Sequence, residues 1–424
     1  MFKFAHMADV HIGAHKDKRL IDLEKEAFYE SIDICVRKKV DFIIIAGDFF
    51  DEPMPKLEIV KNVILKLREL QEKSNIPVYV LYGSHDYIRG GTSIVDLLDA
   101  AGLIVKISDY KNIKEDNQGK KILNIIQDDK TGTKLVGISA RKNGAEKEYF
   151  EKLNVEYLEK QDGFKIFVFH SGIQEFLEHA PFAKECVPIE WFPKGFNYYA
   201  GGHIHQNKEE YNMKSKGYEN IIIPGPLFIG WGQRDYKDVS NGEKRGFYIV
   251  SCEENKVMEN GIEFIKTNKL QGKYIPFDVT RKNSIQANDE IIEEINNLEV
   301  EDDTLITVEI SGELSSGKTS NIDIFQIHKL LAEKGTIDPK IIRNDLTTKE
   351  YQKIQVTNED KTKIEEELLE KNIINVKSKY EMLKEEKGVN LANELLKLLK
   401  TQSKKEGVIE SALTLFGISE SNKE

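Results

Sequence analysis

A chain of 424 residues is too long for one compact core, so two or three domains are expected. Its 40% hydrophobic content is ordinary, and no apolar run approaches the roughly 18 residues of a membrane span. The net charge of -11 excludes a broadly basic surface, so any binding to nucleic acid must use a local patch, a metal or a partner.

Met1-Phe2-Lys3-Phe4 runs directly into a first strand within FKFAHMADVH, so no signal peptide is expected. LEKEAFYESIDICVRK places Leu23, Ala27, Phe28, Ile32 and Cys35 at helical spacing, and DFIIIAGD is a second buried strand. KLEIVKNVILKLRELQ is an amphipathic helix leading through Pro77 into the strand PVYVLYG. KLVGIS, FKIFVFH, FNYYAGGHIH, NIIIPGP and RGFYIVSC follow as short buried strands, an α/β layout up to about residue 271. The three cysteines, Cys35, Cys186 and Cys252, are far apart and odd in number. They argue for a reducing, cytoplasmic compartment and for buried thiols rather than a disulfide framework.

From residue 272 to 350 the pattern becomes that of a small α+β domain. NDEIIEEINNL reads as a helix, LITVEISGEL as a half-exposed strand, DIFQIHKLLAEKG as a helix stopped at Gly335, and DPKIIRNDL as a further strand. Residues 351–424 form a third region rich in Lys, Glu and Leu. Leu391, Leu395, Leu398 and Leu399 share one helical face, and Val408, Ala412, Leu415 and Phe416 repeat it after Gly407. Two such stripes need a surface to cover them, either this protein's own or a partner's coiled coil or helix groove.

Five of the nine histidines fall where an expected core strand ends: His11, His85, His170, His203 and His205. Asp9 and Asp48 share that context. In α/β folds catalytic and binding groups gather at the carboxyl ends of strands. On an extended chain, residues two apart point to one face, so Asp9 with His11, and His203 with His205, can each reach one centre. Carboxylates and imidazoles without cysteine suit manganese, iron or zinc. Asp48 has two oxygens with which to bridge two ions, and two ions roughly 3.5–4 Å apart would clamp a phosphoryl group. In GSHD, Ser84 would fill a ligand position, while His85 is free to protonate a leaving oxygen or bind the phosphoryl oxygens. Asp86 either orients that imidazole or caps the following turn.

The ordered set ADVH, GD, GSHD, FVFH and GGHIH resembles the calcineurin-like metallophosphoesterases. FAHMADVHIGA, the motif spacing and SGELSSGKTS resemble the Mre11/SbcD nucleases of double-strand-break repair. The resemblance implies a four-layer sandwich of two sheets between helices over residues 1–271, a capping domain at 272–350 that helps hold DNA, and C-terminal helices that bind a Rad50/SbcC-type coiled-coil ATPase. It implies two manganese ions per chain, with iron, magnesium and zinc as alternatives. Asp9, His11, Asp48 and His205 would hold one ion, and Asp48, Ser84, His170 and His203 the other, with His85 as the catalytic histidine that binds neither. It also implies a homodimer at the nucleoid.

Ser84 departs from the family, which has asparagine there. A hydroxyl on a shorter arm is a weaker donor, which leaves three readings: the serine binds the ion through a water and activity is kept, the second ion is weakly held and activity demands high manganese, or the position is altered to weaken catalysis while keeping DNA binding. For DNA, Lys16, Lys18, Arg19 and Arg89 lie just beyond the strand-end motifs, as do Arg141 and Lys142, where phosphate contacts are expected. The leading reading is a 3′-to-5′ exonuclease on duplex DNA with endonuclease action on single strands or hairpins. A DNA-end-binding scaffold of weak activity is the alternative that Ser84 motivates. A small-molecule phosphoesterase comes third, because it has no use for the second domain or the tail.

Overall fold

Runs of apolar residues that are buried on both faces belong in the parallel centre of a sheet covered on each side, and the first 267 residues build two mixed sheets with such centres and antiparallel strands at one or both edges. The computed structural model describes residues 1–349 except 89, 109–112, 142–143, 178–182, 184–185, 211–212, 231, 268–269 and 302–303, together with 390–391 and 393–395. The elements run β1 (Phe2–Met7), α1 (Lys18–Lys38), β2 (Phe42–Ala46), α2 (Leu57–Ser74), β3 (Val78–Leu81), α3 (Ile94–Ala100), β4 (Val105–Lys106), β5 (Lys114–Glu115), β6 (Lys121–Ile122), β7 (Ile126–Gln127) and β8 (Lys134–Ile138). They continue with α4 (Lys147–Glu151), α5 (Val155–Glu159), β9 (Lys165–His170), β10 (Tyr198–Gly202), β11 (Lys208–Glu210), β12 (Ile221–Ile223), α6 (Gln233–Ser240), β13 (Gly246–Glu253) and β14 (Lys256–Lys266). Last come β15 (Gly272–Asp278), α7 (Ser284–Asn297), β16 (Leu305–Leu314), α8 (Ile324–Glu333) and β17 (Ile337–Ile342).

The first sheet has the order β14-β13-β1-β2-β3-β4, and the second β11-β12-β10-β9-β8-β7. Phe4, Phe42, Ile44 and Leu81 of the first meet Ile166, Val168, Tyr198 and Ile222 of the second in a dry layer between them. On the other side of the first sheet, Ala5, Ile43, Ile45 and Val80 pack on Phe28, Ile32 and Leu67 of α1 and α2. Val136, Phe167, Phe169 and Ile221 of the second sheet pack outward on Phe150 and Leu158 of α4 and α5. The expected sandwich of two sheets between helices is present.

Helix α1 starts at Asp17, whose carboxylate accepts from the backbone N–H groups of Arg19 and Leu20, and stops at Lys39 in the left-handed region. Strand β14 escapes a hydrophobic-pattern search because its edge is polar. It is held instead by hairpin pairing to β13 through Glu254 and Asn255, both with positive φ, as a two-residue turn of this hand requires.

Met1–Thr347 form one compact unit and Thr348–Glu424 a second. Within the first, residues 272–347 have a core of their own, including Ile275, Ile291, Val308, Ile310 and Leu331. There β16 lies between β15 and β17 in parallel, joined by the crossover helices α7 and α8. This sheet packs on α6: Tyr236 and Val239 share a cluster with Leu305 and Ile337. Of the expected C-terminal helices only residues 390–391 and 393–395 are described, and they are helical; the rest of both stripes lies outside the described residues. The three cysteines are buried. Among the described residues no helix is long and apolar enough to cross a membrane.

Candidate metal centre

Strands β1, β2, β3, β9 and β10 end on one rim of the two sheets, and each delivers a side chain there. Asp9, His11 and His205 bring ligand atoms within 4.8 Å of one another, as do Asp9, Asp48 and His170, and His11, Asp48 and His85. His203 joins them through its ring, 5.2 Å from that of His170, and through its backbone N–H, which donates to both oxygens of Asp9.

The convergence does not come from an extended chain. Asp9, His11, Asp48 and His203 have φ of 48°, 47°, 49° and 83°, in the sparsely populated left-handed region. Alternation of side chains along a strand therefore does not explain the D-x-H and H-x-H spacings. Tight turns do, and backbone bonds hold them: Asp9 N–H to Gly47 O at 3.0 Å, and His11 N–H to Asp48 O at 2.9 Å. Close approach demands glycine beside them. A Cβ on Gly47 would lie 2.1 Å from His170 Nδ1, and one on Gly83 would lie 2.0 Å from Asp48 Oδ1.

His170 Nδ1 lies 2.8 Å from the carbonyl of Ala46, so Nδ1 carries the proton and Nε2 points inward. That Nε2 is fully buried, 3.1 Å from Asp48 Oδ2, and makes no hydrogen bond. The Nε2 atoms of His11 and His205 face each other at 3.2 Å. His11 Nε2 is 3.6 Å from Asp48 Oδ2, and His205 Nε2 is 3.8 Å from Asp9 Oδ1. Burial alone would lower the pKa of His11, but Asp51, Asp48 and Asp9 outweigh it and raise it to about 9. The same contest raises His170 to about 10, through Asp48 and Asp9. Burial would raise Asp48, yet His170, His11 and His85 hold it well below the usual carboxylate range. So dense a group of buried carboxylates calls for positive charge, and inward-facing imidazole nitrogens suit divalent cations. The residues fit a metal pair.

Ser84 reaches the same place, its Oγ 3.4 Å from Asp48 Oδ2. His85 is fixed from behind by the carbonyl of Asp51, 2.7 Å from Nδ1. Asp86 neither faces this imidazole in the bonds it makes nor caps a later turn. Its carboxylate accepts the N–H groups of Phe49, Phe50 and Gly83, tying the Asp48 loop to the Ser84 loop. Burial and the charge of Asp48 raise its pKa to about 6.

Three supporting residues lack any local sequence signal. Asp51 lies 3.1 Å from His11 Nδ1. Asp235 lies 2.7 Å from His205 Nδ1, with the fully buried guanidinium of Arg245 3.9 Å away. Glu24 holds His15 Nδ1 at 2.7 Å and the N–H of Gly13 at 2.5 Å. His15 is therefore a buried loop anchor.

Of the residues expected to touch DNA, Lys16 and Lys18 are exposed, on the loop after His11 and at the start of α1. Arg19 is also exposed, but its guanidinium donates to Thr336 O at 2.9 Å, toward the third sheet. Arg89 and Lys142 lie outside the described residues, and Arg141 stacks on Tyr149. Beside His203 and His205 opens a recess of about 300 Å³, lined also by Leu177, Ile204, Gln206 and Arg234.

Residues 2–207 match the calcineurin-like phosphoesterase family. The chain is 30% identical over 257 residues to the DNA double-strand break repair protein Mre11 of Methanococcus maripaludis, covering 58% of this chain and 62% of that one. To Mre11 of Archaeoglobus fulgidus it is 27% identical over 303 residues, covering 69% and 62%. To Mre11 of Thermoplasma acidophilum it is 27% identical over 361 residues, covering 79% and 84%. The chain thus spans less than two thirds of the length of the first two relatives. Its strand-end carboxylates and imidazoles all lie within the matched segment, so residues 2–207 form a calcineurin-like phosphoesterase domain.

Proposed function

We propose that this chain is a manganese-dependent phosphodiesterase that processes DNA ends in double-strand-break repair, as a 3′-to-5′ exonuclease on duplex DNA with endonuclease action on single strands or hairpins. The observation that carries the reading is the meeting of Asp9, His11, Asp48, His170, His203 and His205 on one rim, with His85 beside them, in a chain similar to archaeal Mre11.

In this reading Asp9, His11, Asp48 and His205 hold one cation and Asp48, Ser84, His170 and His203 the other. Bound cations supply Lewis acidity at the phosphoryl oxygens and activate the attacking water. The chain's own groups do the rest. Ala46 O and Asp235 fix the tautomers of His170 and His205, so that each Nε2 faces inward. His85, with Nδ1–H committed to Asp51 O, presents Nε2 to the reacting group; as the doubly protonated imidazolium it gives the Nε2 proton to the departing oxygen and is left as the neutral Nδ1–H tautomer. The recess beside His203 and His205 lies at the small end of the range for ligand sites, about 300–1,000 Å³, and accommodates the nucleoside next to the cleaved bond. Lys16 and Lys18 contact backbone phosphates.

Residues 272–350 act as a capping domain that helps hold the duplex. Two chains work as a homodimer, and the leucine-striped C-terminal helices bind a coiled-coil ATPase. The test is release of nucleotides from linear duplex DNA in manganese. Wild-type protein releases them, and Asp48→Ala and His85→Ala do not. No release at any manganese concentration, with or without the ATPase, would overturn the proposal and leave a DNA-end-binding scaffold.

A further inference from the structure

Helix α6 is only eight residues long, and its two faces do different things. On one face Asp235 is buried against the metal centre, its Oδ1 2.7 Å from His205 Nδ1 and its Oδ2 accepting the N–H of Gly232 at 3.1 Å. The preceding loop packs directly on this carboxylate, since a Cβ on Gly230 would lie 2.3 Å from Oδ2. The guanidinium of Arg245 adds a buried positive charge on the same side.

The other face is bonded to the sheet of residues 272–347. Tyr236 donates its hydroxyl to Asp338 at 2.8 Å, and Lys237 donates to Glu309 at 2.5 Å. Ser240 and Thr307 share a hydroxyl–hydroxyl bond at 2.9 Å. Tyr236 and Val239 also bury against Leu305 and Ile337, so the contact is apolar as well as polar. Asp235 and Tyr236 are adjacent in sequence. A one-turn displacement is not needed to uncouple them from the centre; a small rotation of so short a helix moves both. A histidine that ligates a metal depends on the carboxylate holding its other nitrogen, and losing that partner costs about 10–100-fold in affinity.

We propose that α6 links the two halves of Met1–Thr347: docking of the third sheet on Tyr236, Lys237 and Ser240 sets the position of Asp235, and Asp235 in turn sets the tautomer and orientation of His205. Asp235 is a positioning residue, and the third sheet regulates the metal centre through it. The proposal rests on reading His205 as a metal ligand, and its first readout does not need the metal.

That readout is the imidazole nitrogen spectrum of the metal-free protein, labelled with ¹⁵N-histidine. Wild type shows His205 with its proton on Nδ1. Asp235→Asn loses that tautomer preference. Lys237→Met removes the bond to Glu309, Glu309→Gln removes the charge that Lys237 and Tyr274 share, and both, without touching the centre, shift His205 toward a mixture. In the second readout, manganese affinity falls about tenfold or more for Asp235→Asn and about threefold or more for Lys237→Met. Lys237→Met adds nothing further in the Asp235→Asn background, because both act through one carboxylate. Wild-type His205 spectra and wild-type affinity in folded Lys237→Met and Glu309→Gln would overturn the link. An unchanged tautomer in Asp235→Asn would overturn the role of Asp235. If the spectra respond as described while wild type binds no manganese, the link stands and the metal reading falls.

Discussion

His85 Nδ1 lies 2.7 Å from the carbonyl oxygen of Asp51, which leaves Nε2 as the nitrogen that faces the centre. A carbonyl can only accept, so the tautomer is set by the backbone and not by the pH of the site. Asp51 also reaches His11 Nδ1 at 3.1 Å with its side chain. One residue therefore orients both the expected acid and an expected ligand.

If His85 donates a proton to the leaving oxygen, its removal matters most when that oxygen is a poor leaving group. His85→Ala should cut DNA hydrolysis by about 10²–10⁴-fold. With a p-nitrophenyl ester of a nucleotide the loss should be far smaller, and manganese binding should not change. Equal losses on both substrates would remove His85 from the role of acid.

Ser84 lies 3.4 Å from the shared carboxylate of Asp48. Ser84→Asn should lower the manganese concentration needed for half-maximal activity by about tenfold, which corresponds to about 1.4 kcal/mol. A manganese titration of the two proteins on linear duplex reads this directly. No change would mean that the serine hydroxyl is already a competent donor.

His6 provides a pH test away from the ligands. It is fully buried between the sheets with Nδ1 3.0 Å from Tyr198 Oη, and burial lowers its pKa to about 3. In the folded state it is neutral, while in the unfolded chain it takes up a proton below about 6.5. Its depressed pKa therefore favours the unfolded state progressively as pH falls from about 6.5 toward 3. His6→Gln removes that uptake. Between about pH 5.5 and 4 the variant should lose about 1.4 kcal/mol less stability per pH unit than wild type, as measured by urea unfolding. Parallel pH slopes would show that His6 does not titrate this way.

The C-terminal stripes carry a separate expectation. Deleting residues 388–424 should abolish co-purification with a coiled-coil ATPase and leave manganese binding by the first unit unchanged. Retained co-purification would reject the docking role of those helices.

The ligand positions are legible in sequence because each sits where an apolar strand gives way to polar residues. The strands that carry them are buried on both faces, so that boundary is sharp at Met7, Ala46, Leu81 and His170. What brings the side chains together was less legible. Asp9 and His11 converge through left-handed backbone, which the D-x-H spacing does not reveal. Asp235 follows His205 by 30 residues and meets it only because α6 packs beside the second sheet's rim. Arg245 and Glu24 likewise act through tertiary contact. For Asp86 the sequence leaves two roles open, orienting His85 or capping the following turn, and neither accounts for its oxygens, which three backbone N–H groups use. Neighbours in sequence are often not neighbours in chemistry at a turn.

The central claim is that the strand-end cluster holds two cations with Asp48 between them. A crystal of the protein grown with manganese, measured at the manganese absorption edge, tests it most directly. The account predicts two anomalous peaks about 3.5–4 Å apart, both within bonding distance of Asp48, and neither in Asp48→Ala. A single peak, or peaks away from Asp48, would contradict it.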